Sequence, residues 1–287
     1  MGRFGIALLA ATTLVAPSAI AGAVLAPTIF RAARLASNSV TGFSAGCPRG
    51  YVAASAGVSA PATGTTVLSV RPAGNRAFIF RFGNPAKNPA RRVTVAVACR
   101  RLAGQTRGVF LRVSPLTPRT VLVPSGGQRS ATRACPAGTA AAGAGVDLAP
   151  GRRAASAGFR GNPLSIRRMS AGVHSFSFTV RNSGATARPV ALAGNCITVV
   201  AQAPAARRRL HVKVISFLGA VEPGRRKVAR SCPQGWVSLA AGYGVASPAV
   251  TVEGAAAVGD GGRWSVASTA AGPTQVELDL TCGRVLP

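Results

Sequence analysis

The sequence predicts an all-β protein built as three tandem small β-sandwich-like domains, each with one intradomain disulfide, behind an N-terminal signal segment. Three observations carry that expectation. Six cysteines fall into two alternating kinds, and the segments leading to every second cysteine alternate apolar and polar residues. Thirty-four glycines and 20 prolines punctuate the chain, with almost no helical periodicity between them. A chain of 287 residues exceeds one average domain. Hydrophobic residues make up 48% of it and aromatics only 5%, so its cores must be thin and filled with small side chains such as Ala and Val. Charged residues are only 14%, which excludes a chain that stays unfolded.

The first element is the export segment, placed at residues 1–21. Met1-Gly2-Arg3 is a short basic start, Phe4 to Ala16 is uncharged and apolar, and Ala19-Ile20-Ala21 fits a small-residue cleavage site. The competing reading is an uncleaved N-terminal membrane anchor, because no charge intervenes between Arg3 and Arg31. Pro17 and Pro27 interrupt that stretch, and Arg31 and Arg34 lie on the wrong side for it. The expected location is therefore extracellular or at the cell surface.

The repeats come next. Cys47, Cys135 and Cys232 each open a CPxG motif, and Gly57, Gly145 and Gly242 each follow ten residues later, preceded by Ala. Cys99, Cys196 and Cys282 each end an alternating segment, VTVAVAC, VALAGNC and VELDLTC. Upstream of these lie FIFRFGN at 78–84, FSFTVRN at 176–182 and WSVAS at 264–268, whose Phe80, Phe178 and Trp264 stand 19, 18 and 18 residues before the closing cysteine. A period of two is that of a half-buried strand. The CPxG cysteines are 88 and 97 residues apart, so each unit is domain-sized. Six cysteines permit fifteen pairings; the repetition selects Cys47–Cys99, Cys135–Cys196 and Cys232–Cys282. Each would close a loop contributing about 4 kcal/mol in the chain-entropy model. The units are placed at 29–108, 109–208 and 209–287, with VAQAPAARRR as the clearest linker.

This arrangement resembles the single-disulfide β-domain repeats of secreted and surface actinobacterial proteins, in which a CPxG motif leads through a Gly-rich turn to an aromatic-bearing strand and a final Val-rich strand ending in Cys. The resemblance covers the three units and implies an extracellular β-domain without an assigned activity. One departure is that the Gly-rich turn is reduced here to Ala-Gly or Gly-Ala-Gly.

Catalytic and metal chemistry finds little support. Gly42-Phe43-Ser44-Ala45-Gly46 matches a nucleophile elbow, with Asp147 and His174 in hydrolase order, but an elbow joins a strand to a helix and this one runs straight into CPRG. An extracellular serine hydrolase is thus the least favoured reading, and a non-enzyme is expected. His174 and His211, the only histidines, lack a partner at ligand spacing, and Asp260-Gly261-Gly262 reads as a turn. No metal and no cofactor is expected. Phe78, Phe80, Phe82, Phe176, Phe178, Trp236 and Trp264 are assigned to core or strand-face packing.

Charge is the remaining functional signal. Thirty-four Lys and Arg against six Asp and Glu give a formal net charge of +28. The first acidic side chain is Asp147, and unit 3 is nearly balanced. Arginine dominates, and its planar fork suits phosphate and carboxylate. Arg91-Arg92, Arg100-Arg101, Arg152-Arg153, Arg167-Arg168 and Arg207-Arg208-Arg209 are the candidate polyanion-binding residues. The expected partner is an anionic cell-envelope polymer or lipid headgroup, met through units 1 and 2. Export argues against genomic DNA, so dedicated nucleic-acid binding is not expected. The alternative is an adhesin or assembly subunit that joins a protein partner or itself through β-edges.

Overall fold

The computed structural model describes residues 24–60, 64–104, 109–150, 159, 161–201 and 208–286. The expected signal segment lies outside the described residues. Among the described residues the fold is all-β, without helix. The first repeat comprises β1 (Val24–Leu25), β2 (Thr28–Leu35), β3 (Ser39–Gly46), β4 (Val52–Ala60), β5 (Thr66–Ala73), β6 (Ala77–Asn84) and β7 (Arg91–Leu102). The second comprises β8 (Val109–Pro115), β9 (Arg119–Val123), β10 (Gln128–Ala134), β11 (Ala140–Asp147), β12 (Leu164–Ala171), β13 (Ser175–Asn182) and β14 (Arg188–Ala201). The third comprises β15 (Arg209–Val221), β16 (Gly224–Ser231), β17 (Val237–Gly244), β18 (Val250–Val258), β19 (Gly261–Ser268) and β20 (Thr274–Leu286). The first strands therefore begin upstream of residue 29, whereas β8 and β15 start at 109 and 209.

Each repeat is a sandwich of two antiparallel sheets. One sheet is β2-β7-β4, β8/β9-β14-β11 or β15-β20-β17; the other is β3-β6-β5, β10-β13-β12 or β16-β19-β18. The alternating segments are the inner strands of these sheets. Phe78, Phe80 and Phe82 point into the first core with Val93, Val95 and Val97, and Phe176, Phe178 and Val180 do the same in the second. In the third, Trp264 occupies the aromatic position, buried, with its indole Nε1–H donating to Gly242 O at 2.8 Å. Burying one such side chain contributes about 1.5–3 kcal/mol. The three disulfides pair as the repetition requires, Cys47–Cys99, Cys135–Cys196 and Cys232–Cys282, each linking the CPxG turn to the long last strand of its own repeat.

The repeats are not beads on a string. β5 of repeat 1 pairs with β11 of repeat 2, placing Val70 opposite Val146 and Ser69 opposite Asp147. β12 of repeat 2 pairs with β17 of repeat 3, placing Met169 opposite Tyr243 and Arg168 opposite Gly244. Two sheets thus run continuously across repeat boundaries. β18 of repeat 3 packs against β4 of repeat 1, which closes the three repeats into a ring with a pseudo-threefold axis. Among the described residues this third contact carries no assigned strand pairing.

The recurring glycine sits at these contacts. A Cβ on Gly145 would meet Val70 O at 2.8 Å, one on Gly242 would meet Ser170 Cα at 2.7 Å, and one on Gly57 would collide with Ala255 O. Only a residue without a side chain lets two backbones approach so closely. Around the axis, Ala54, Ala142 and Leu239, each seven residues after its CPxG cysteine, are buried in one shared core with Leu102, Leu111, Val113 and Ile197. β11, AAAGAGVD, is buried at every position because it is packed on both faces.

Candidate functional site

The CPxG motif folds as the same turn in every repeat. The amide of Tyr51 donates to Pro48 O at 3.2 Å, that of Thr139 to Pro136 O at 3.1 Å and that of Trp236 to Pro233 O at 3.0 Å. The intervening Gly50, Gly138 and Gly235 have φ of 84°, 75° and 75°. A left-handed Gly at the third position is the signature of a type II turn, which other side chains enter only with strain. The turn fixes the residue four places after the cysteine beside the end of the last strand, and that residue is Tyr, Thr and Trp in the three repeats.

Two of these positions carry an aromatic ring against cations. Trp236, half-buried, meets the Lys213 ammonium at 4.6 Å and the Arg284 guanidinium at 4.7 Å from its ring centroid. Tyr51 meets the Arg101 guanidinium at 5.8 Å. Arg101 and Arg284 stand at the same place, two residues after the closing cysteine, so the arrangement is repeated by the fold. In repeat 2 the equivalents are Thr139 and Thr198, with the His174 ring nitrogen Nδ1 2.9 Å from Thr139 O. A cation lying on a ring is held in place at modest cost, leaving donors free for an anion. The arrangement can bind a chain that is both anionic and flat-faced; it offers no nucleophile, acid or base in a reactive constellation.

Three of the six acids lie at contacts between repeats, while Glu222 and Asp260 are exposed. Asp147 of repeat 2 approaches Arg81 of repeat 1 at 3.6 Å, and Arg168 of repeat 2 holds Glu277 of repeat 3 at 2.6 Å and Asp279 at 3.8 Å. Hydrogen bonding from Arg168 holds the Glu277 carboxyl below its usual range, and the same bond raises the Arg168 guanidinium. Half of the six acidic residues therefore tie one repeat to the next, and the outer surface is left cationic.

The structure sorts the arginine runs. Arg101 stacks on Tyr51, Arg92 and Arg209 are exposed, and Arg91 and Arg208 are half-buried. Arg34 and Arg92 lie directly opposite across β2 and β7, a like-charge pair that favours an intervening anion. Arg152, Arg153 and Arg207 lie outside the described residues. Three arginines need correction. Arg100 is fully buried, donating to Ser238 O and Ser238 Oγ, Cys99 O and Gly259 O. Burial lowers its pKa to about 9, so it is still charged at neutral pH, but no external polymer reaches it. Arg167 binds the carbonyls of Ala246, Ser247 and Val250, and Arg168 is committed to Glu277. Neighbours in a strand face opposite ways, so Arg100-Arg101 splits between the ring interior and the surface.

Ser44 lies within β3, and no helix follows it. No group of three or more His, Cys, Asp or Glu able to hold a metal occurs among the described residues. No described helix is long and apolar enough to cross a membrane. Three disulfides fit an oxidising compartment. The sequence analysis missed Tyr51, Lys213 and Arg284, although the fixed distance of Tyr51 and Arg284 from their cysteines was there to be read. Trp236 stands just before β17 rather than within a strand and packs against the core of repeat 3, and its cation neighbours are the addition. No protein-family model and no curated protein matches the chain.

Proposed function

We propose that the protein is a non-enzymatic, exported surface protein that binds an anionic polymer of the cell envelope through the cationic and aromatic face at its CPxG turns. The observation that carries this reading is Trp236 held between Lys213 and Arg284, with its repeat-related counterpart Tyr51 on Arg101. Aromatic faces stack on sugar rings or other flat groups while guanidinium forks take carboxylate or phosphate. The near balance of charge in repeat 3 hides a strongly basic strand, because Arg225, Arg226, Lys227 and Arg230 all lie on exposed β16. Charges on such an edge discourage strand addition, which weighs against an adhesin that assembles through its edges.

The test is sedimentation of the full chain with isolated cell envelopes across a salt series. Binding should weaken steeply with salt, since displaced counterions drive attachment to a polyanion. Lys213→Ala with Arg284→Ala should flatten that dependence, and Trp236→Ala should weaken binding without changing its slope. Salt-insensitive binding that survives all three substitutions would overturn the proposal.

A further inference from the structure

At the opposite end of the axis from the shared apolar core, the three repeats enclose a cavity of about 450 Å³. Its walls come from the same strand positions of each repeat. Val58, Val146 and Tyr243, each eleven residues after its CPxG cysteine, contribute one layer. Val67, Ile166 and Val252 contribute a second.

Each of these three residues stands at a β-bulge. The register shifts between Val67 and Ser69, between Ile166 and Arg168, and between Val252 and Gly254. A bulge re-aims side chains and recurs beside binding sites, and here it recurs in all three repeats at one cavity wall.

The lining is graded. Thr66, Ser165 and Thr251, related by the repeat, place a hydroxyl from every repeat at the outer end of the cavity, Ser165 and Thr251 being exposed. Further along the same strands Val70 and Ala255 are buried. Glu253, also in the lining, is engaged by Arg225 at 2.7 Å, so the mouth presents a neutralised pair.

We infer that this axial cavity is a binding site for a small neutral amphiphile, an aliphatic chain with a hydroxyl or similar hydrogen-bonding end. The volume falls within the roughly 300–1,000 Å³ of small-molecule sites. At roughly 30 Å³ for each non-hydrogen atom, the share of a water molecule in the liquid, it holds about fifteen such atoms. Apolar inner walls take the chain, and the ring of hydroxyls takes its polar end. The cavity lining shares no residue with the Trp236, Lys213 and Arg284 cluster or with the Tyr51 and Arg101 pair, so it stands or falls independently of polymer binding there.

The test is a fluorescence titration of the full chain with the neutral probe N-phenyl-1-naphthylamine, followed by displacement with straight-chain alcohols from hexanol to tetradecanol. The expected result is saturable one-to-one binding, displaced with an optimum chain length. Ile166→Trp fills the cavity and should weaken binding about tenfold or more, one factor of ten in Kd. Thr251→Trp does the same from an exposed position where folding is not at stake. Absent or non-saturable binding, or binding unchanged in Thr251→Trp, overturns the inference. Displacement by decanoate or decylamine about tenfold better than by decanol overturns the neutral end group.

Discussion

The three junctions of the ring are built differently. Repeats 1 and 2, and repeats 2 and 3, are joined by strand pairing, extended by the amide of Leu148 donating to Leu68 O at 2.8 Å and that of Val245 to Arg167 O at 2.7 Å. Each of these junctions also carries an ion pair, Arg81 with Asp147 and Arg168 with Glu277. The closing junction, repeat 3 on repeat 1, has β18 packed on β4 around Gly57 and, beside it, the buried Arg100 spread over carbonyls of repeat 3. The amide of Gly259 adds a bond to Thr28 Oγ1 at 3.1 Å. Two junctions thus rest on the backbone, which most substitutions leave alone, and the third on a few particular side chains. The comparison teaches that the ring should open first where it closes.

The largest expected effect follows from adding a side chain at the closing contact. Gly57→Val should cost about 3 kcal/mol or more, at the upper end of overpacking effects. It should raise amide exchange in β4 and β18 while the first two junctions stay protected. Gly145→Val, across a hydrogen-bonded junction, should lower overall stability without such selective opening. Hydrogen exchange read by mass spectrometry decides this, and equal exchange at both sites would remove the distinction.

Arg100→Met keeps much of the volume and deletes the donors. Carbonyls left without partners cost about 1–3 kcal/mol, so the unfolding free energy should fall by an amount in that range, again with exposure confined to the closing junction. A variant as stable as the parent would show that Arg100 does not hold it.

The pair at the second junction should matter least and should depend on pH. Because the Glu277 carboxyl is depressed by Arg168, its contribution is present above the ordinary Glu value of about 4.3 and is lost as pH falls through the lower folded value. Both side chains are about one-third exposed, so the effect stays under about 1 kcal/mol. Glu277→Gln should flatten stability between neutral and acid pH; an unchanged acid slope would assign it to other carboxyls. Substituting half-buried Lys213 or exposed Arg284 by Ala should each cost only about 0.5 kcal/mol in thermal unfolding, the low end for a cation on an aromatic ring at the surface.

Much of each repeat could be read from the chain, because its signals are local. Alternation gave the inner strands, and the fixed spacing of two kinds of cysteine gave the pairings. Ring closure was harder, because strands far apart in sequence meet there and no turn announces them. Its trace was present in Gly57, Gly145 and Gly242, which looked like loop glycines, and in AAAGAGVD, whose lack of polar residues indicates burial on both faces. The arginines were misread for a related reason. A charge count assigns every Arg to the surface, whereas Arg100 and Arg168 serve as ties between repeats. The axial cavity could not be seen at all, since its walls come from eight separate strands.

The claim on which the rest depends is the closed ring, and small-angle X-ray scattering of the chain from Val24 onward tests it most directly. A single compact body of this length has a radius of gyration of about 18 Å by the usual scaling. Three separate domains of one-third the length in a row would give about 28 Å by the same scaling. The ring requires a value near the first; a value near the second, unchanged across concentrations, would contradict it.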